Sequence, residues 1–262
     1  MPNDYTAILW CLKLGALVNL WFLAASRTPG QTATDPHLLV PAQILFLVSG
    51  YRCLFPNRYE NNTVFHDSVL SSALVTRVIA TFSEVAYIYQ FAYVLRLLNL
   101  EDVGWIDGLA TLMVLQVILS QCFVWSAILT GRLALYVYEE LGWAVIFLAN
   151  TLASAYLYAS LDLTDEDPRL LLLRLSLGFG AVYLPWQMIH LNALRKEAKE
   201  ADVLSAKRRT IGEAVSAALV ERNRSTDAAA WGGVIGLTWM TAYWASLIPL
   251  WVYLVVRAFA PA

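Results

Sequence analysis

The chain has 262 residues, 59% of them hydrophobic and 15% charged, with a mean hydropathy of +0.56 and a formal net charge of −2. So little polar surface excludes a soluble globule of this size and a disordered chain, and the near-neutral charge leaves no basic field for nucleic acid. What remains is an all-α, polytopic membrane protein.

A helix needs about 20 apolar residues to cross a bilayer, and such runs predict seven transmembrane helices, at about 5–25, 38–55, 70–97, 105–129, 133–160, 169–194 and 230–258. They fill a single seven-helix transmembrane domain, 1–262, with no detectable internal repeat. The first run has no basic region ahead of it, so it reads as a spanning helix rather than a cleaved signal peptide. Cys11, Cys53 and Cys122 are widely spaced beside or within apolar runs, which predicts buried thiols and no disulfide framework.

The loop after the second run carries Arg52, Arg58, His66 and Asp67. Its arginines suit a phosphate or carboxylate headgroup at the mouth of a site. The third run is the anomaly, because Ser68 to Leu98 contains Arg77, Thr81, Glu84, Tyr87, Gln90 and Arg96. An ionised side chain near the bilayer centre costs at least ~3 kcal/mol on insertion scales, so Arg77 and Glu84 need partners or water. At 100° per residue Arg77, Thr81 and Glu84 share one sector, with Thr76, Ser83, Tyr87 and Gln90 beside it. Arg77 and Glu84 are separated by about 10 Å of helical rise. That is too far for a simple contact unless the arginine reaches along the helix, so each is expected to find a partner on another helix. The plain structural reading of these residues is a buried network that sets helix register.

The fourth run supplies Gln116, Ser120, Gln121 and Trp125, and the fifth opens with Arg132, Tyr136, Tyr138, Glu139 and Glu140. Glu140 shares a face with Tyr136, Trp143 and Phe147, whereas Glu139 lies about 100° round in line with Arg132. Glu140 is therefore the glutamate expected in the interior. Asp167 is placed to cap the sixth helix ahead of Pro168, with Asp165 and Glu166 near its positive dipole end. Later in that run Tyr183, Pro185, Trp186, Gln187, His190 and Asn192 gather before a basic stretch.

The segment 195–227 has eight basic and six acidic residues, with Leu204, Ile211, Val215, Ala218 and Leu219 at roughly helical spacing. It reads as a cytoplasmic basic loop or an interfacial amphipathic helix. The seventh run brings Thr238, Trp239, Thr241, Tyr243, Trp244 and Ser246. Segments 51–67, 131–132 and 195–227 together hold eleven Lys and Arg, against four (Arg27, Arg96, Arg169, Arg257) on the opposite side. That excess predicts a cytoplasmic N-terminus and a non-cytoplasmic C-terminus. The two glycosylation sequons, at Asn61 and Asn223, then fall on the cytoplasmic side.

The seventh run has no lysine for a retinal Schiff base, and the chain has no HExxH, CxxC, Walker or GxSxG sequence and only three histidines. No metal and no cofactor is expected. In size and helix count the chain resembles the small membrane-bound terpene cyclases, which place acidic side chains in an apolar cavity. None of their motifs aligns with residues here, so the resemblance carries no site.

These readings converge on an intramembrane enzyme acting on a lipid or isoprenoid-like substrate in a cytoplasm-facing cavity. Glu84 and Glu140 are the candidate acid and base, Arg77 the charge stabiliser and His190 the proton relay. The expected substrate-binding residues are Arg52, Arg58, Tyr87, Gln90, Gln121, Trp125, Trp143, Trp186 and Tyr243, whose aromatics suit cation stabilisation. The expected partners are membrane lipids and a hydrophobic small-molecule substrate. The alternatives are a proton-coupled transporter or channel with Arg77, Glu84 and Gln90 lining the pathway, and a non-catalytic receptor or assembly subunit.

Overall fold

The computed structural model describes residues 4–203 and 210–261. Seven helical spans are long and apolar enough to cross a membrane, and the protein is an integral, multi-pass helical bundle. The spans are α1 (Thr6–Ala25), α2 (Pro36–Leu54), α3 (Ala73–Leu98), α4 (Gly104–Thr130), α5 (Ala134–Ser160), α6 (Pro168–Val203) and a seventh, Gly233–Ala258, in two pieces. Helix α3 packs against α2, α4 and α5 and is buried at Thr76, Arg77, Ser83, Glu84, Tyr87 and Gln90. By contrast α1 and α4 turn Trp10, Leu14, Leu17, Trp21, Leu115 and Ile118 outward. An exposed apolar stripe is what a lipid-facing helix requires.

Close approach fixes the α4–α5 contact. A Cβ at Gly142 would overlap the side chains of Ser120 and Gln116. The gap left by its absence brings Ser120 Oγ to the Glu139 carbonyl at 3.3 Å.

Helix α6 runs past the expected end at 194 and through Arg195, Lys196 and Glu197. Charged residues with long, straight side chains are good helix formers, so the basic stretch extends the helix beyond the bilayer instead of ending it. Asp167 receives the Arg169 N–H at 2.8 Å at its start, as a cap should. Asp165 pairs instead with Arg174 at 2.8 Å.

Part of 195–227 forms α7 (Ile211–Val220), begun by a capping box in which Thr210 and Glu213 bond to each other's backbone. Its buried side is Ala214 and Ala218, and it contacts α3 and α4. Of the apolar positions at helical spacing, Ala218 is buried, whereas Ile211 and Val215 are exposed. Leu204, Lys207, Arg208 and Arg209 lie outside the described residues.

The seventh span begins as α8 (Gly233–Met240), passes through a π-helical turn at Thr241–Ala245 and continues as α9 (Leu247–Ala258). Pro249 accounts for the break, since its ring clashes with the carbonyl four residues back and it has no N–H to donate. The turn buries two adjacent side chains, Tyr243 and Trp244. The Trp244 carbonyl accepts from Asn19 Nδ2 at 2.9 Å, and the same amide reaches the Gly15 carbonyl at 2.8 Å.

Three short strands were not expected from the sequence. β1 (Asn57–Arg58) pairs antiparallel with β2 (Thr63–Val64), which pairs in parallel with β3 (Asn223–Arg224). Asp4 bridges to Asp227, and the Tyr5 N–H donates to the Thr226 carbonyl at 2.8 Å. The start of the chain, the α2–α3 loop and the α7–α8 connection are thus tied together over one end of the bundle. Asn57 anchors this cap to α3, donating to the Ser71 carbonyl at 2.8 Å and to Thr76 Oγ1 at 2.6 Å.

The cysteines are all free, but only Cys53 is buried. Cys11 and Cys122 are exposed because α1 and α4 turn those positions outward, which corrects the expectation of three buried thiols.

Candidate functional site

Beneath the cap lies a cavity of about 140 Å³ lined by charged and aromatic side chains. Its walls come from α2 (Arg52), α3 (Arg77, Glu84), α5 (Tyr136, Glu139, Glu140, Trp143), α6 (His190, Glu197) and α8 with the π turn (Trp239, Tyr243, Trp244). The cap supplies Asn57, Arg58, Tyr59, Glu60 and Trp231. All four candidate catalytic residues, Glu84, Glu140, Arg77 and His190, therefore border one space.

Arg77 does reach along its own helix. Its guanidinium pairs directly with Glu84, two turns on, which corrects the expectation that the two would find separate partners. It also has partners on neighbouring helices: Gln121 Oε1 at 2.5 Å and the Glu139 carboxylate at 3.7 Å. Gln121 closes the ring by donating from Nε2 to Glu84 Oε2 at 2.9 Å. A helix surface lets two residues separated by two turns lie above one another, and the length of the arginine side chain spans the rise.

Glu139 is as buried as Glu140 and lines the same cavity, although only Glu140 was expected inside. Side chains 100° apart both face inward because α5 is wedged between α4 and α6. The missed signal was Arg77 itself, which needed a carboxylate on another helix.

Glu140 has a different environment. Gln187 Nε2 donates to its Oε2 at 2.8 Å and to its backbone carbonyl at 2.7 Å, and His190 Nε2 stands 3.5 Å from Oε1. The His190 ring is stacked on Trp186, with centroids 5.2 Å apart, and both lie beside Trp239.

The two arginines expected at the mouth are already engaged. Arg58 pairs with Glu60 at 3.4 Å and Glu197 at 3.0 Å. Burial opposes its charge, but those two carboxylates prevail and raise the guanidinium above its ordinary value. Arg52 donates to Asn57 and lies 5.0 and 5.2 Å from the Tyr59 and Trp244 rings. His66 and Asp67 are not at the mouth. His66 Nε2 faces Lys13 Nζ at 2.8 Å, and burial followed by the Lys13 and Arg224 charges pushes its imidazole below the ordinary value. Asp67 pairs with Arg222 at 2.8 Å on the exposed surface.

Among the expected binding residues, Trp143 and Tyr243 border the cavity, and Gln121 supports it through Arg77. Tyr87 stacks behind Trp143, with ring planes 2° apart, and does not line the space. Gln90 is turned away and donates to the Leu38 carbonyl at 2.7 Å. Trp125 is likewise outside, its indole N–H donating to Thr81 Oγ1 at 3.0 Å.

A second space of about 430 Å³ adjoins the first. It is an apolar groove between α5, α6 and the seventh span, lined by Phe147, Phe179, Tyr183, Trp186, Ile248 and Trp251 among others. Trp239 and Tyr243 border both spaces. Val182, Leu247 and Leu250 line the groove and are 73%, 52% and 45% exposed, so it opens on the lipid-facing side of the bundle.

Among the described residues no group of three or more His, Cys, Asp or Glu is arranged to hold a metal ion. The chain matches no protein-family model, no curated protein and no solved structure.

Proposed function

We propose that this protein is an intramembrane enzyme that performs general acid–base chemistry on a lipid or isoprenoid-like substrate. The observation that carries the reading is the juxtaposition of the Glu140–His190 pair with a lipid-open apolar groove that shares Trp239 and Tyr243 with the cavity beneath the cap. An apolar chain entering sideways from the bilayer along the groove would bring its polar or reactive end to that pair.

In this reading Glu140 takes a proton from the substrate or delivers one, and His190, 3.5 Å away, exchanges protons with it. Arg77 holds Glu84 and Glu139 in place and sets the field of the cavity. Trp143, Tyr243 and Trp239 present ring faces that favour a developing positive charge. The cavity sits at the end of the bundle that carries the arginine- and lysine-rich loops, which we place in the cytoplasm. The pathway proposed for a transporter has less support, because Gln90 lies away from the cavity and the α3 charges are closed on one another.

The test compares membranes containing the wild type and Glu140→Gln. Bound lipids are extracted from each purified protein and followed over time by mass spectrometry. The expected result is conversion of one lipid species by the wild type, with the same species retained unconverted by the variant. Identical lipid profiles with wild-type stability would sink the enzyme reading.

A further inference from the structure

The cavity lining is unbalanced in charge. Five carboxylates, Glu60, Glu84, Glu139, Glu140 and Glu197, border it with three guanidiniums, Arg52, Arg58 and Arg77. Arg58 is taken up by Glu60 and Glu197, and Arg77 by Glu84 and Glu139. Glu140 has no arginine among the described residues; its partners are the Gln187 amide and the His190 ring. His190 lines the cavity at 8% exposure, and its Nδ1 has no hydrogen-bond partner.

Aromatic side chains line the same cavity as this carboxylate. Trp143, Trp239, Tyr243 and Trp244 border the cavity, and Trp239 is packed at 4.8 Å against Tyr243 and 5.6 Å from Trp186. Indole and phenol faces are electronegative and attract cations, Trp most strongly. An anionic headgroup fits less well: Arg58 and Arg77 are already salt-bridged, Arg52 has no carboxylate among the described residues but donates to Asn57 and lies against the Tyr59 and Trp244 rings, and Glu140 would repel an anion.

We propose that the cavity recognises the cationic head of an amphipathic molecule, a protonated tertiary amine or a quaternary ammonium, whose apolar chain lies in the adjoining groove. Glu140 supplies the counter-charge, the ring faces of Trp239 and Tyr243 supply the box, and the groove lined by Phe179 and Trp251 takes the chain. The inference rests on reading cavity and groove as one site, as in the proposed function, but it concerns binding and needs no turnover.

The test uses the full chain in lipid nanodiscs and follows tryptophan fluorescence and thermal unfolding. Four probes share a twelve-carbon chain: N,N-dimethyldodecylamine, dodecyltrimethylammonium, dodecanol and dodecyl phosphate. Both cations are expected to bind saturably and at least tenfold tighter than dodecanol, with dodecyl phosphate weaker than either. Glu140→Gln should lower cation affinity at least tenfold and leave dodecanol unchanged, whereas Trp239→Leu should weaken every probe. Equal binding of amine and alcohol, or tighter binding of the phosphate, overturns the proposal in the wild type alone, even if Glu140→Gln fails to fold. Lipid turnover without cation preference overturns it and spares the enzyme reading. Cation binding without Glu140-dependent turnover does the reverse.

Discussion

Arg77 is held by two carboxylates and an amide in a part of the chain where water is scarce. Removing one member of such a cluster leaves the others charged and unpaired, which costs ~3–5 kcal/mol. Arg77→Met is therefore expected to lower the thermal unfolding temperature sharply, and the triple variant Arg77→Met/Glu84→Gln/Glu139→Gln to recover most of it. A single variant no less stable than the triple would show that the cluster is not held together by charge. The sequence made Arg77 and Glu84 conspicuous, because ionised side chains in an apolar run stand out. It did not show their pairing, since helical rise alone ignores the length of the arginine side chain, and it did not show Glu139, since helical phase alone turns that side chain toward Arg132 and leaves only Glu140 inside until the packing of α5 between α4 and α6 is known.

At the scale of elements, the π turn at Thr241–Ala245 decides the shape of the site. It places Tyr243 on the boundary between cavity and groove and leaves the Trp244 carbonyl to the Asn19 amide. Asn19 is fully buried, so Asn19→Ala withdraws a donor from a carbonyl that water cannot reach, at ~1–3 kcal/mol. A lower unfolding temperature and altered tryptophan fluorescence are the expected readouts; unchanged values for both would mean that the turn holds without Asn19. Pro249 lies inside the seventh apolar run, but the π turn ahead of it was not legible, because membrane helices tolerate an interior proline without a break. The three strands were illegible for a different reason. Each is two residues long, and β2 finds β3 about 160 positions away, a separation local patterning cannot report.

For the whole molecule, apolar run length located all seven spans, because the bilayer imposes one minimum length on every crossing. The ends were less legible where charged residues extend a helix beyond the bilayer, as in α6 at Arg195 and Lys196. The proposed orientation makes a direct prediction. In a cysteine-free background, Asp162→Cys is expected to react with a membrane-impermeant maleimide on intact cells, and Asn61→Cys only after the membrane is opened. Both positions are exposed at opposite ends of the bundle, so the reverse labelling pattern would invert the topology.

The strand cap also bears on the order in which the protein is assembled. β2 leaves the ribosome early, but its parallel partner β3 and the bridge from Asp4 to Asp227 wait until six spans have been made. Trp239 and Tyr243 come later still, in the seventh span. A nascent chain thus carries Arg77, Glu84, Glu140 and His190 with only part of the roof, Asn57 to Glu60, and part of the aromatic wall, Trp143, until synthesis is almost complete. A chain cut short before residue 223 lacks β3, Trp231, Trp239 and Tyr243, and is expected to leave the cavity open on that side.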